Sequence, residues 1–277
     1  MMASHGKAFG VEPGYPPYRL RQARYHALAE DVADFAGQIH DRENRRVQLL
    51  DVGVGKGVSL RYLEVHAASA CIDYHAADCY PCGLERVYKW RQWQHHRIDA
   101  EQGMPQLESE QFDVVICEQM LEHLHNPQAA LTELARVLRP GGLLVVGVPI
   151  FPHGPHLIRK HLVPFFDRLV DRRPRPHVQA FSLRSFLAMW RQSCGDVEIR
   201  QRRGFRVISG GILRPLEYCR WWWRLNRKFG RLVPGLCVEV QIVAIKQISP
   251  TGRAVDPQAS PDGGSLDRAG DPARRAA

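Results

Sequence analysis

The chain has 277 residues, of which 44% are hydrophobic and 24% are charged. This composition is that of an ordinary globular protein, and it excludes a disordered, collagenous or disulfide-scaffold chain for most of the sequence. The 38 basic residues outnumber the 29 acidic ones, which favours contact with anions, although solvated surface charge explains such an excess more often. Residues 1–20 contain no apolar signal-peptide segment and the longest apolar run, 143–151, is too short to cross a bilayer, so we expect a cytoplasmic protein.

The predicted elements alternate along the chain in the manner of an α/β protein. Residues 1–46 give a loose arm and then a helix whose apolar stripe runs from Leu28 to Ile39. Residues 47–150 alternate short apolar strands with helices, predicted over Glu85–Trp93 and from Asn126-Pro127 to Pro140. The strands are predicted at Val47–Asp51, Tyr74–Ala77, His95–Ile98, Phe112–Cys117 and Leu143–Val148. Strands separated by helices predict a parallel sheet with helices on both faces.

The rest of the chain has a different composition. Residues 151–248 begin as a basic, aromatic and proline-rich stretch, and we interpret them as substrate-cap segments followed by the final strands. The elements predicted there are helices at 181–190 and 218–228 and strands at Val197–Arg200 and Val238–Lys246. Residues 249–277 are rich in Pro, Gly, Asp, Arg and Ala and contain no aromatic residue, so we predict a disordered tail.

A glycine-dense turn follows the first predicted strand, with the sequence LLDVGVGKG at 49–57. Glycine lets a backbone adopt positive φ and approach a ligand closely, and the helix that follows offers free N–H groups. The spacing departs from a dinucleotide fingerprint, whose sixth position would be Val58 here, and the Gly-Lys-Ser/Thr of an ATP P-loop is absent. A purely structural turn without a ligand is the alternative interpretation.

The D-x-G-x-G-x-G form of this turn resembles motif I of class I S-adenosylmethionine (SAM) methyltransferases, of the type 11-like group. Four further segments resemble later regions of that family in the expected order: YHAAD ending at Asp78, HRIDAEQGMP around Asp99, FDVVICEQMLEH and LARVLRPGGLLVVGVP. The resemblance implies a Rossmann-like α/β fold with a seven-stranded, mostly parallel sheet and an antiparallel last strand. It also implies helices on both faces, an aromatic and basic cap insert, and SAM as the cofactor at the carboxyl ends of the strands.

The resemblance also assigns cofactor-binding residues. Asp51, Gly53, Gly55 and Gly57 would cradle the methionine end of SAM, and Glu118 at the end of the fourth strand joins the cofactor-binding set. Asp78 would hold the ribose hydroxyls, with Asp73 as the rival because it lies in the same strand region. Asp99 and Ala100 would lie beside the adenine.

The acceptor is less defined. Methyltransferases that act on amino nitrogens of bases or glutamine carry Asn/Asp-Pro-Pro-aromatic after strand four, where this chain reads Cys117-Glu118-Gln119-Met120. We therefore expect O-methylation of a small-molecule or lipid-like acceptor, with a small amine or a carbon acid left open. An RNA 2′-O-methyltransferase and a non-catalytic SAM-fold binding or scaffold protein are the alternatives. The sequence shows no RNA-binding appendage, so nucleic acid is not the expected partner, and it does not specify an oligomeric state.

Candidate catalytic residues follow the fourth and fifth strands. The segment from Gln119 to His123 is similar to the E-x-x-E-H segment of ubiquinone-pathway O-methyltransferases and of enzymes that methylate small-RNA ends. It places Glu122 and His123 near the transferred methyl group, and because Gln119 replaces the first carboxylate we expect no metal. His153 is our first choice for a general base because it follows strand five most closely, ahead of three other histidines, His156, His161 and His177.

Two segments, Phe151–Arg175 and Arg214–Arg231, interleave aromatic residues with Arg and Lys, and the second contains three consecutive tryptophans at 221–223. Three interpretations are open. The aromatic residues could pack on the sheet as part of a cap, which is the commonest use of aromatics at helical density. They could form a peripheral membrane-surface contact for a lipid-linked acceptor, or stack on nucleic acid bases.

Overall fold

The computed structural model describes residues 20–80, 93–151, 178–207 and 211–248, and up to Gln247 these belong to one unit. Several predicted features lie outside the described residues: the arm at 1–19, most of the helix predicted at Glu85–Trp93, the basic segment that follows Phe151, and the tail at 249–277.

Seven strands form a single sheet in the order β3-β2-β1-β4-β5-β7-β6. Their bounds are β1 Val47–Val52, β2 Ile72–Asp78, β3 Trp93–Arg97, β4 Phe112–Glu118, β5 Leu138–Pro149, β6 Val197–Phe205 and β7 Glu239–Lys246. β7 runs antiparallel to both of its neighbours, β5 and β6, and the pairings among β1 to β5 are parallel. The predicted seven-stranded, mostly parallel sheet with an antiparallel last strand is thus confirmed.

The helices are α1 Ala23–Glu43, α2 Val58–Leu63, α3 Pro127–Val137, α4 Leu183–Ser193 and α5 Arg220–Leu232. Successive residues of β4 point to opposite faces: Val114 belongs to a core cluster that includes the apolar stripe of α1, and Val115 to a cluster that includes α3 and α4. Each face of the sheet is therefore covered by helices, which explains why every residue of β4 is buried.

Local sequence signals account for the start of α3 but not for its end. The Asn126 side chain accepts a hydrogen bond from the Ala129 N–H and Pro127 occupies the first turn, as predicted. The predicted continuation to Pro140 is wrong, because α3 ends at Val137 and Pro140, Gly141 and Gly142 lie within β5. The register between β4 and β5 shifts there, and a Cβ on Gly142 would lie 2.8 Å from the Arg139 carbonyl oxygen, so the glycines allow an irregular strand.

The predicted third strand is displaced as well. We predicted His95–Ile98, and β3 covers Trp93–Arg97, pairing with β2 from Tyr74↔Trp93 to Asp78↔Arg97. This edge strand is only partly buried, so its apolar pattern is weak and its boundaries are set by pairing with β2. Within the described ranges, no helix is both long and apolar enough to span a lipid bilayer.

The sheet order fixes where a ligand can bind. β1 connects to β2 on one side, and the chain then returns to place β4 on the other side of β1. Such a switch point opens a crevice at the carboxyl ends of the strands, and ligands of open α/β sheets bind there. Because β7 is antiparallel, its first residue, Glu239, lies at this same edge, opposite Pro149 and Phe205.

Candidate active site at the carboxyl edge of the sheet

The glycine turn leaves β1 at the switch point. Gly53, Gly55 and Gly57 all have positive φ, between +50° and +76°, which side-chain-bearing residues rarely adopt. The Gly53 N–H donates to the Ala77 carbonyl at 2.8 Å, so the turn is fixed to the end of β2, and Gly57 is the N-cap of α2. The alternating glycines of the sequence are thus explained by backbone conformation.

Gly53 also explains how the turn meets the segment after β4. A Cβ on Gly53 would lie 2.5 Å from Met120 Cγ and 2.7 Å from its Cβ, so the Met120 side chain lies directly on the glycine backbone. Met120 precedes the short 3₁₀ turn Leu121–His123, and its carbonyl accepts from the His123 N–H at 3.0 Å. The glycine turn and the Leu-Glu-His segment are therefore neighbours at the switch point.

Asp78 ends β2 beside the glycine turn. One of its carboxylate oxygens accepts a hydrogen bond from the Gly55 N–H at 2.9 Å and the other accepts from the Tyr80 N–H at 3.0 Å. Asp73, its rival for the ribose, lies at the opposite end of β2, where Arg46 Nε donates to it at 2.6 Å. The two aspartates therefore occupy opposite edges of the sheet.

Asp51 lies near the end of β1, two residues before Gly53, and is buried. Burial raises its pKa to about 7, although hydrogen bonds from the hydroxyls of Tyr74, at 2.6 Å, and Ser59 act in the opposite direction. Its hydrogen-bond partners thus come from β2 and α2, and its predicted contact with SAM stays a prediction.

The turn after β3 carries the residues predicted to lie beside adenine. Asp99 is exposed and accepts hydrogen bonds from the Glu101 N–H at 3.0 Å and from Gln102 Nε2 at 2.8 Å. Ala100 is buried in the core that packs against β1 and β4. One residue of the pair therefore faces solvent and the other anchors the turn.

Glu118, at the end of β4, is buried in a polar network that joins three distant parts of the chain. It accepts a hydrogen bond from Gln241 of β7, and its other oxygen lies 3.6 Å from Arg24 Nε, with no hydrogen-bond partner among the described residues. Its carboxylate lies where a Cβ of Gly147 would be, so only glycine fits there. Burial raises the pKa of Glu118, and the charge of Arg24 partly offsets this.

Sequence reasoning missed the other members of this network. Arg24, in the first turn of α1, forms an ion pair with Glu239 at 2.8 Å, and Arg206 pairs with the same carboxylate at 3.0 Å. One signal was available: Glu239 and Gln241 occupy alternate positions of a strand that is otherwise apolar up to Ile245, and buried polar residues need specific partners. Arg24 precedes the apolar stripe that predicts α1, so that stripe gives no signal for it.

Glu122 and His123 form an adjacent pair with contrasting exposure. The Glu122 side chain is 1% exposed, that of His123 is 44% exposed, and His123 Nε2 lies 4.0 Å from Glu122 Oε1. Burial raises the pKa of Glu122 to about 7, and its Oε2 has no hydrogen-bond partner among the described residues. The exposed imidazole can accept a proton, and the ionised carboxylate beside it can stabilise the resulting imidazolium.

The remaining predictions about the site concern histidines and a metal. His153 and the three alternatives His156, His161 and His177 lie outside the described residues. Within the described ranges, no group of three or more His, Cys, Asp or Glu side chains is arranged to hold a metal ion. The expected independence from metal remains a prediction.

Part of the chain resembles known proteins in sequence. Residues 50–146 match the family model described as a methyltransferase domain. The chain is 29% identical over 138 residues to a ubiquinone biosynthesis O-methyltransferase from Maricaulis maris and 28% identical over 129 residues to a thiol S-methyltransferase from Mus musculus. These alignments cover 47% and 46% of this chain and 51% and 50% of the relatives, so the chain spans about half the length of the curated relatives it matches.

Solved structures share the fold. A candidate sarcosine dimethylglycine methyltransferase from Galdieria sulphuraria superposes with a TM-score of 0.53 at 14% identity, covering 82% of this chain and 86% of that one. A candidate methyltransferase from Bacillus halodurans gives a TM-score of 0.50 at 18% identity, covering 77% and 99%. Residues 50–146 therefore form a methyltransferase domain, and the fold around them is that of the class I SAM-dependent methyltransferases, whose cofactor is SAM.

Proposed function

We propose that this protein transfers the methyl group of SAM to an oxygen atom of a small-molecule or lipid-like acceptor that binds beside His123. The observation that carries the proposal is the Glu122–His123 pair: an exposed imidazole 4.0 Å from a buried carboxyl, in the segment that packs on the glycine turn. A methyl acceptor needs a neighbouring base only if it must lose a proton, as a hydroxyl must.

The described residues suit the positive charges of SAM. Three buried carboxyl groups with raised pKa values, those of Asp51, Glu118 and Glu122, lie at the switch point. Two carboxylate oxygens, on Glu118 and Glu122, have no hydrogen-bond partner among the described residues. A ligand that carries a sulfonium and an ammonium group would favour the ionised forms of these acids. When bound, SAM supplies an electrophilic methyl group, and the cofactor brings most of the chemistry.

The chain's own groups would then have separate tasks. The turn from Gly53 to Gly57 would hold the methionine end, Asp78 the ribose, and Asp99 with Ala100 the adenine, as the family resemblance implies. His123 would accept the acceptor's proton at an imidazole nitrogen, and Glu122 would stabilise the imidazolium. Their separation of 4.0 Å has to shorten when the acceptor binds, as is common for catalytic hydrogen bonds.

Oxygen is favoured over sulfur as the acceptor atom by two observations. The relative from Maricaulis maris is named for O-methylation, and a hydroxyl group benefits more from a base than a thiol does, because a thiol ionises near pH 8.5 without help. The relative from Mus musculus is named for S-methylation, so thiols form the second arm of the test.

The direct test supplies labelled SAM with a panel of acceptors and follows transfer by mass spectrometry. The panel contains catechol with and without an alkyl chain, mercaptoethanol, an alkyl amine and an RNA oligonucleotide. We expect the label on a catechol oxygen, with the alkyl chain lowering KM. Label found only on the thiol or only on RNA would show that the proposed acceptor is wrong. Tight SAM binding without transfer to any member of the panel would favour a binding protein.

A further inference from the structure

Helix α5 exposes a continuous apolar stripe. Trp221, Leu225, Phe229 and Leu232 are spaced by four, four and three residues, so they lie on one face of the helix. All four are exposed, from 36% at Leu225 to 67% at Leu232. A contiguous exposed apolar patch of this kind marks an interaction surface far more often than single exposed hydrophobic residues do.

More exposed apolar side chains lie close to α5 in the sequence. Three more exposed apolar side chains follow α5 in the chain, at Val233, Leu236 and Val238. Exposed Tyr218 lies two residues before α5, and the other exposed large apolar residues in the described ranges are scattered along the chain: Val65, Tyr80, Val178 and Ile248. Apolar exposure in the described part of the chain is thus concentrated around α5.

Positive charge flanks the stripe. Arg220, Arg224, Lys228 and Arg231 are exposed, each directly preceding a member of the apolar stripe, and α5 contains no acidic residue. Within the described ranges, none of these four side chains forms an ion pair. The fifth cation of the helix, Arg227, differs because it contacts Glu30 at 3.3 Å and lies over the Trp223 ring.

The opposite face of α5 is fixed to the sheet. The Asn226 side chain accepts from the Val207 N–H at 3.1 Å, and Gly230 packs on the backbone of Gly204 so closely that no Cβ would fit. Trp223 packs with Ala23, Ala27 and Phe205. Two of the three consecutive tryptophans therefore differ in role: Trp223 packs on the core, as predicted for a cap, whereas Trp221 is exposed.

We propose that the α5 surface, formed by the apolar stripe and the four flanking cations, binds the surface of an anionic lipid bilayer. Helices that lie in a membrane interface place an apolar face at the acyl boundary and Lys or Arg beside the headgroups, which is the pattern of α5. Two leucines and a phenylalanine of the stripe gain more from acyl chains than from nucleic acid, whose single strands are held by stacking and phosphate contacts.

A second copy of the chain fits this surface less well. In a symmetric dimer the same patch meets itself, so the four cations of one α5 would face the four of its partner without intervening acids. An anionic bilayer instead supplies both hydrocarbon and negative charge. The inference does not rest on the proposed methyl transfer, because it is argued from α5 alone.

The test is co-sedimentation of the full chain with vesicles, with and without phosphatidylglycerol in a phosphatidylcholine background. We expect binding to the anionic vesicles, at least tenfold weaker binding to pure phosphatidylcholine, and loss of binding in 0.5 M NaCl. Leu225→Ser combined with Phe229→Ser should weaken binding at least tenfold without changing net charge. Arg224→Gln combined with Lys228→Gln should weaken it and reduce its salt dependence.

The matched control is Val65→Ser, which removes an apolar side chain that is 71% exposed and lies outside the α5 surface. It should bind vesicles like the unmodified chain, and thermal unfolding by circular dichroism checks that every variant is folded. Vesicle binding that survives the double serine change, or that falls equally with Val65→Ser, would overturn the proposal. Absence of vesicle binding by the unmodified chain would also overturn the proposal. If the chain binds an RNA oligonucleotide instead, and the same variants weaken that binding, the partner of the α5 surface is nucleic acid.

Discussion

At the amino edge of the sheet, Asp73 and Asp113 are held by arginines, whereas at the carboxyl edge Glu118 and Glu122 each keep one carboxylate oxygen without a hydrogen-bond partner among the described residues. Asp113, at the start of β4, receives two hydrogen bonds from Arg45, at 2.7 and 2.8 Å, and one from Arg139 at 2.9 Å. Burial alone would raise the pKa of Asp113, but these partners hold it below its usual range.

The carboxyl edge reverses this pattern. Burial raises the pKa values of Asp51 and Glu122 to about 7, and the charged partners at that edge do not compensate. Carboxyl groups that are paired at one end of the strands contribute to stability, while those left incompletely paired at the other end reduce it at neutral pH. Unusual pKa values of this kind cluster at functional sites, and here they cluster at the switch point.

The sharpest test of the carboxyl edge is a double-mutant cycle on the Glu122–His123 pair. His123→Ala should lower kcat by about 10²–10⁴-fold, the usual contribution of a general base, and Glu122→Gln should lower it by a smaller factor. Because both would act on one proton transfer, the double variant should be no slower than His123→Ala alone.

Two comparison variants accompany the cycle. His125→Ala removes another exposed histidine, which lies 3.8 Å from the partly buried Glu101, and kcat should stay unchanged. His153→Ala tests the base favoured from the sequence alone. If His153→Ala abolishes turnover and His123→Ala does not, the proton acceptor is His153 and the Glu122–His123 pair is structural.

The second prediction concerns stability and pH. The unfolded Glu122 carboxyl ionises near pH 4.5 and the folded one near pH 7, so the folded state binds more protons between these values and its stability falls as pH rises through that window. Glu122→Gln should thus match the unmodified protein near pH 4 and be more stable by up to about 3 kcal/mol at pH 8. Urea unfolding at several pH values measures this difference.

Asp113 should show the opposite sign. Asp113→Asn removes the charge that Arg45 and Arg139 share, so at pH 7 it should lower the free energy of unfolding by about 2 kcal/mol, the scale of hydrogen bonds to a charged group. If Glu122→Gln destabilised the protein at pH 8 as Asp113→Asn does, the contrast between the two edges would be wrong.

The third prediction concerns the glycine turn. Gly55 has φ +50°, and the nearest atom to an added Cβ is the Gly53 carbonyl oxygen at 3.9 Å, so a side chain there would enter the space next to the turn. Gly55→Val should weaken SAM binding at least 100-fold, about 2.7 kcal/mol or more, in calorimetric titration. The control is Gly37→Val in α1, where an added Cβ meets no atom within 4 Å, and tight SAM binding by a folded Gly55→Val protein would contradict the assignment.

The fourth prediction compares the two aspartates of β2. Asp78→Ala should weaken SAM binding by about 1.5–3 kcal/mol, because a carboxylate that binds the ribose hydroxyls would be lost. Asp73→Ala should leave SAM affinity unchanged, since Asp73 is bound to Arg46 and Gln48 at the other edge. A larger effect from Asp73→Ala than from Asp78→Ala would instead place the ribose at the amino edge of the sheet and contradict the assignment of Asp78.

The smallest expected effect is that of a chelator. With Gln119 in place of a carboxylate, methyl transfer should proceed unchanged in EDTA. Loss of transfer in EDTA and recovery on adding Mg²⁺ would instead make Glu122 and His123 metal ligands.

Local sequence signals determined the buried strands, the glycine turn and the start of α3. Buried strands reveal themselves as short apolar runs, positive φ requires glycine, and Asn126-Pro127 provides an N-cap and a first-turn proline. These signals act over a few residues, so they can be read without knowing the fold. The placement of Asp78 at the ligand edge also follows, because it ends a strand that the sequence identifies.

Only the tertiary structure decided which polar groups meet. Arg24, Glu118 and Glu239 come from α1, β4 and β7, and they meet because β7 inserts antiparallel beside β5 and so brings its first residue to the carboxyl edge. The same holds for Glu122, whose raised pKa depends on the burial that packing produces. Burial and long-range charge are properties of the packed chain, since the dielectric surroundings of a carboxyl group are set by residues far away in sequence.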